Sequence, residues 1–145
     1  MKVSEAMTSE VRMVNPEDSI HDAARLMADM DVGALPVSDS DRLVGIVTDR
    51  DIAVRAVAHG KSPDTKVREV MSWEVMYCFD DQDVEDVALN MGDIKVRRLP
   101  VVNREKRLVG IISVGDLARC QDTETTGETL AGISEPGGAH SQTAH

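Results

Sequence analysis

A chain of 145 residues with 41% apolar content can build one ordinary domain or two very small ones. It has single Trp, Tyr and Phe residues, so its core must come from Val, Ile, Leu, Met and Ala. A balance of 16 basic against 26 acidic residues gives a net charge of −10, which repels phosphate backbones and argues against nucleic acid as the main partner.

The leading MKVSEAMTSE lacks the apolar run of a signal peptide. No stretch approaches the roughly 20 apolar residues that cross a bilayer. Cys78 and Cys120 form neither a disulfide framework nor a metal spacing, and His140 and His145 have no ligand spacing either. The expectation is a cytoplasmic protein with no membrane partner and no metal.

In chain order, Val11 to Val14 reads as a short strand. A helix follows, opened by NPEDS, with Ile20, Ala23, Ala24 and Met27 on one apolar face. The runs ALPVS and RLVGIVT, separated by DSD, predict a hairpin. A second helix runs from Asp49 to about His59 and stops at Gly60. GKSPDTK, residues 60–66, reads as a linker.

The text then repeats. At an offset of 64, Val3, Glu5, Met7 and Val11 fall on Val67, Glu69, Met71 and Val75, and VGALPV falls on VRRLPV. One extra residue in NREKR moves the offset to 65, where RLVGI matches RLVGI and Asp51 matches Asp116. Val75 to Tyr77 is the second leading strand, Val84, Val87, Ala88 and Met91 form the second helix face, and the last helix covers about Val114 to Cys120. The expected class is α/β (α+β): two β-α-β-β-α repeats, residues 1–59 and 67–120, packed as one pseudo-two-fold module, because a unit of about 50 residues buries too little alone. Residues 121–145, rich in Thr, Gly, Glu and Ser, read as a flexible tail.

Each repeat ends its hairpin in one phrase, GIVTDRDIA and GIISVGDLA. Thr48 and Ser113 stand at a strand-to-helix junction, three residues before Asp51 and Asp116. A hydroxyl there caps free N–H groups, worth about 1 kcal/mol, and an Asp in the first turn complements the helix dipole. A helix start is also an anion site, and an ionised Asp suits a pair of vicinal hydroxyls. Both readings stay open. A phosphate would need a cation: Arg97 and Arg98 precede a core strand where the first repeat has Gly33 and Ala34, and Arg50 is a weaker candidate opposite Gly115.

Two β-α-β-β-α units, each with LPV, then LVGI, then [Ser/Thr]-x-x-Asp, resemble a tandem pair of CBS domains, the domain named for cystathionine β-synthase, over about Val3 to Arg119. The chain is similar to the short stand-alone bacterial type that includes a hypoxic response protein. The resemblance implies a regulatory module that binds adenosine-containing ligands (AMP, ADP, ATP, possibly NAD(H) or S-adenosylmethionine) in clefts between the repeats, with no cofactor required. It implies ribose contacts from Asp51 and Asp116, phosphate contacts from Thr48, Ser113 and Arg98, and a homodimer. It also implies that each cleft uses the leading segment of the other repeat: Thr8, Val11 and Arg12, with Ala34, for Asp116, and Ser72, Val75 and Met76 for Asp51. The alternative is a ligand-free dimerisation or interaction module whose motifs only cap helices. No GxxxxGK[ST] loop, paired carboxylates, Cys–His or Ser–His arrangement points to an enzyme. The downstream protein partner is not named by the sequence.

Overall fold

The computed structural model describes residues 1–120, 127 and 130–133. It is a mixed α+β structure. Helix α1 (Val3–Ala6) is followed by α2 (Ile20–Met30), strands β1 (Ala34–Asp39) and β2 (Arg42–Thr48), and α3 (Asp49–Asp51). Helix α3 continues as a π-turn, Ile52–Ala56, and a 3-10 turn, Val57–His59. After a 3-10 turn at Val67–Glu69 come β3 (Cys78–Phe79), α4 (Val84–Ile94), β4 (Arg98–Val102), β5 (Leu108–Ser113) and α5 (Val114–Ala118).

The helices follow their patterns. Ile20, Ala23 and Met27 of α2 are buried, as are Val84, Val87, Ala88 and Met91 of α4; Ala24, assigned to the same face, is exposed. Ser19 Oγ accepts the Asp22 N–H and caps α2, which ends at Asp31 in the left-handed region. Asp49 to His59 is one helical stretch in extent, but its winding changes twice, and Gly60 (φ 72°) ends it.

Both hairpins form in the expected places. Strands β1 and β2 pair antiparallel, and Ser40 (φ 51°) and Asp41 (φ 66°) make the tight turn between them. Strands β4 and β5 pair antiparallel around a loop in which Asn103 Oδ1 accepts the N–H groups of Glu105 and Arg107.

The leading strands need correction. Val11 to Val14 forms no strand; only Val14 bridges Val37. In the second repeat the strand is Cys78–Phe79, just beyond Val75 to Tyr77, and it pairs parallel with β4. Val14, 4% exposed, supplies a core contact rather than a ladder, and Val11 and Val75 are partly buried.

The chain divides into two compact units: Met1–Val11 with Met76–His145, and Arg12–Val75. Each unit therefore joins the body of one repeat to the leading segment of the other. The contacts are reciprocal. Val3 N–H donates to Gln82 O (2.9 Å) and Val67 N–H to Asp18 O (2.8 Å). Thr8 and Ile111 exchange two backbone hydrogen bonds (2.9 and 3.0 Å), as do Ser72 and Ile46 (2.9 and 3.0 Å). Lys2 Nζ donates to Asp81 O, and Lys66 Nζ pairs with Glu17. Val3 lies in the core with Cys78, Val84, Met91, Leu99 and Ile112, while Val67, Val70 and Met71 lie in the other with Ile20, Met27, Leu35 and Val47.

Within the segment read as a tail, Gly127 and residues 130–133 are helical, and Gly132 lies against Gly92 of α4. The other residues beyond 120 fall outside the described set.

Two glycines make the exchange possible. A Cβ at Gly45 would lie 2.5 Å from Ser72 O and 3.1 Å from Met71 Cε. A Cβ at Gly110 would overlap Met7 Sδ and lie 2.9 Å from Thr8 O. Gly110→Ala is therefore expected to destabilise the protein by about 1–3 kcal/mol, as overpacking does. Chemical denaturation checks this, and an unchanged midpoint would show that the leading segment is not held against β5. Burial also pushes the Cys78 thiol up to about 12, so almost none of it is thiolate at pH 8. Iodoacetamide at pH 8 is expected to label Cys120 first and to reach Cys78 only in denaturant, as read by peptide mass mapping.

Candidate functional site

Strand β5 ends and α5 begins at Ser113. Its backbone is extended (φ −119°, ψ 164°), and its hydroxyl accepts the Asp116 N–H at 3.2 Å. Asp116 answers: Oδ2 accepts the Ser113 N–H at 2.9 Å, closing a capping box. The first repeat has the same geometry, with Asp51 N–H to Thr48 Oγ1 at 3.0 Å and Thr48 N–H to Asp51 Oδ2 at 2.9 Å. Asp51 and Asp116 are 7% and 6% exposed, unusual for a carboxylate, so each is held in place by its box.

Two arginines missed in the sequence join these boxes. Arg119 Nη2 donates to Asp116 Oδ1 at 2.5 Å. Arg55 Nε stands 3.9 Å from Asp51 Oδ1, and its Nη1 donates to the Val70 and Met71 carbonyls. The signal was an Arg three or four residues after each Asp, one helical turn away. A carboxylate has about four lone-pair sites. At Asp116 the Ser113 N–H and Arg119 occupy one on each oxygen, which leaves one on each oxygen for a vicinal diol.

The rest of the second-repeat site assembles within the same unit. Arg98 faces Ser113 in the β4–β5 register, and the Arg97 carbonyl accepts the Val114 N–H at 3.0 Å. Both arginines are exposed, and neither guanidinium has an ion-pair partner among the described residues. Thr8 bridges Ile111, two residues before Ser113, and Val11 lies in the same unit, whereas Arg12 and Ala34 fall in the other.

The first-repeat site differs in charge. Ala34 pairs with Thr48, and the Gly33 carbonyl accepts the Asp49 N–H at 2.9 Å. No cation stands where Arg97 and Arg98 do. Instead Asp49 holds the first helical position, which Val114 fills in the second repeat, and its Oδ1 accepts the Arg50 N–H. A Cβ at Gly33 would lie 3.1 Å from Asp49 Oδ2, so an exposed carboxylate sits at this helix start. Arg50 Nε is buried without a hydrogen-bond partner among the described residues. Ser72 bridges Ile46, and Val75 shares this unit, while Met76 does not.

A cleft of about 270 Å³ is lined by Met13, Val14, Asp18, Asp22, Arg25, Leu26 and Asp29. It contains no motif residue, and its three carboxylates against one guanidinium do not suit an anion. Among the described residues no three His, Cys, Asp or Glu side chains are grouped to hold a metal ion, and no helix is long and apolar enough to cross a membrane.

Comparison with known proteins gives these features a family. The CBS domain model matches residues 3–57 and again 67–122. The CBS domain-containing protein YhcV of Bacillus subtilis is 42% identical over 133 residues, covering 91% of this chain and 94% of that protein. Among solved structures, Hypoxic Response Protein I with two coordinated zinc ions superposes with a TM-score of 0.75 at 33% identity, covering 84% of this chain and 100% of that one. CBSX2 in complex with AMP gives 0.71 at 30% identity, covering 81% and 93%. The CBS domain pair of MJ0100 with 5′-methylthioadenosine and S-adenosyl-L-methionine gives 0.70 at 30%, covering 82% and 98%. With two matched copies spanning most of its length, the chain belongs to the CBS domain family.

Proposed function

We propose that this protein is a regulatory sensor of an adenosine-containing ligand, bound at the Ser113–Asp116 site, rather than an enzyme. The observation that carries this reading is the state of Asp116: buried, oriented by two hydrogen bonds, with one acceptor site left on each oxygen. A ribose offers two adjacent hydroxyl donors of matching number. Arg97 and Arg98 at the start of β4 suit a phosphate beyond the ribose, and the Ser113 hydroxyl still has its own proton to donate. Thr8 and Val11 would flank the adenosine. AMP and S-adenosylmethionine in the related structures support the ligand class.

The Thr48–Asp51 site, with Arg50, Ser72 and Val75, is assigned the weaker affinity. Asp49 places a negative charge at the helix start that a phosphate would occupy, and no Arg pair offsets it. Arg12, Ala34 and Met76 have no assigned contact. The working form is a cytoplasmic homodimer that passes its ligand state to another protein, with no cofactor beyond the ligand. A second reading has its own support: both capping boxes are complete without a ligand, as an interaction module would need.

Calorimetry separates the two. Asp116→Ala is expected to weaken AMP binding by about 1.5–3 kcal/mol, the worth of hydrogen bonds to a charged group, and 2′-deoxy-AMP is expected to bind the wild type distinctly more weakly than AMP. If the melting temperature of Asp116→Ala falls while its AMP affinity stays the same, Asp116 is only a cap. Arg98→Ala is expected to lose more affinity for AMP than for adenosine, with the AMP loss shrinking in high salt as screening grows. Equal losses for the two ligands would remove Arg98 from the phosphate.

A further inference from the structure

Asp51 and Asp116 match in burial and in their capping boxes, but not in the arginine one helical turn further on. In the second repeat Arg119 Nη2 donates to Asp116 Oδ1 at 2.5 Å. In the first, Arg55 lies in the π-turn Ile52–Ala56, and its Nε stays 3.9 Å from Asp51 Oδ1. That is an ion pair without a hydrogen bond. Asp51 Oδ1 therefore accepts no hydrogen bond among the described residues, although the side chain is buried. Arg55 Nη1 donates instead to the Val70 carbonyl at 3.2 Å and the Met71 carbonyl at 3.4 Å, just after the 3-10 turn Val67–Glu69. Both bonds are longer than the usual distance of about 2.9 Å. One guanidinium is thus shared between two demands and fully meets neither. The first is the carboxylate of the Thr48–Asp51 site. The second is the leading segment, which one residue later brings Ser72 to Ile46. All of these first-repeat contacts fall within the unit Arg12–Val75.

We propose that Arg55 couples the Thr48–Asp51 site to the seating of residues 67–72. The proposal rests on the reading of that site as one for an adenosine-containing ligand. A ribose hydroxyl that donates to Asp51 Oδ1 supplies the hydrogen bond that Arg55 does not make. The guanidinium then settles on the Val70 and Met71 carbonyls, and the backbone that carries Ser72 is held more firmly. In the empty site the carboxylate draws the guanidinium back, and the same backbone is held less firmly. The coupling is reciprocal, so loosening the segment lowers affinity at Asp51. Arg119 makes no such connection: among the described residues it bonds to Asp116 and to no backbone carbonyl.

The test uses the full chain carrying Asp116→Ala, which leaves the first-repeat carboxylate as the intact grip. Adenosine is the probe, because Asp49 disfavours a phosphate there. Calorimetry reads binding. Amide hydrogen exchange reads the Met71 N–H, bonded to Val67 O, and the Ser72 N–H, bonded to Ile46 O. At saturating adenosine both are expected to exchange about fivefold more slowly, the low end of coupling between sites. Adding Arg55→Met, which has neither charge nor donors, is expected to quicken exchange in the free protein and to abolish the slowing by adenosine. Arg55→Lys keeps the charge, but its single ammonium cannot serve both partners, so it is expected to lose most of the slowing. Thermal melts confirm that each variant folds. A slowing that persists at full size in both variants would reduce Arg55 to a structural tie and overturn the coupling. Adenosine binding to the Asp116→Ala protein without any slowing would overturn it too. If that protein binds no adenosine while wild type does, the first-repeat site takes no ligand and the coupling is refuted with it. If wild type binds neither adenosine nor AMP, the adenosine reading itself fails.

Discussion

Two backbone bridges carry the architecture: Thr8 with Ile111, and Ser72 with Ile46. Each lays the leading segment of one repeat along the second hairpin strand of the other, over a glycine with no room for a Cβ. A two-stranded hairpin with one helix is marginal alone. The exchanged segment adds Val3 to one core, and Val67, Val70 and Met71 to the other. Neither repeat can complete its core from its own residues, so the repeats depend on each other in folding.

The same exchange sets up the proposed site. The bridge at Ile111 pins β5 two residues before Ser113, and the capping box then fixes where Asp116 points. Position and chemistry are thus inherited by both repeats, while charge is not. Arg97 and Arg98 against Gly33 and Ala34, and Val114 against Asp49, give one helix start an arginine pair and the other a carboxylate beside Arg50. In a chain of net charge −10, an anionic ligand depends on such local cations. A few differences in charge between the two repeats are the ground for the proposal that one site binds more tightly than the other.

Much of this was legible in the sequence. The repeat, most of the helix faces of α2 and α4, both hairpins and the Thr48 and Ser113 hydroxyl caps follow from periodicity and turn chemistry, which are local; the return bonds from Asp51 and Asp116 to the cap N–H groups appear only in the structure. The leading strands were not legible, because the apolar residues of Val11 to Val14 and Val75 to Tyr77 divide between the two units: Val14 fills the core of its own repeat through a single bridge to Val37, while Val11 and Val75 fall in the unit of the other repeat. The change of winding after Asp51 left no mark, since IAVRA reads as ordinary helix. Arg119 and Arg55 were visible as letters, but their pairing with Asp116 and Asp51 becomes significant only once both carboxylates are known to be buried. The contact of Gly132 with Gly92 lies about 40 residues apart in the chain, beyond the reach of any local pattern.

On the reading proposed above, one carboxylate, Asp116, is a preformed grip for a ribose beside Arg97 and Arg98, whose guanidinium groups have no ion-pair partner among the described residues. The most direct measurement is a nuclear magnetic resonance titration of uniformly nitrogen-15-labelled protein with AMP. Expected at the lowest AMP concentrations are amide shifts at Ser113 to Asp116, at Arg97 and Arg98, and at Thr8, with Thr48 to Asp51 following only at higher ligand. A spectrum unchanged by AMP, or shifts that begin at Thr48 to Asp51, would contradict it.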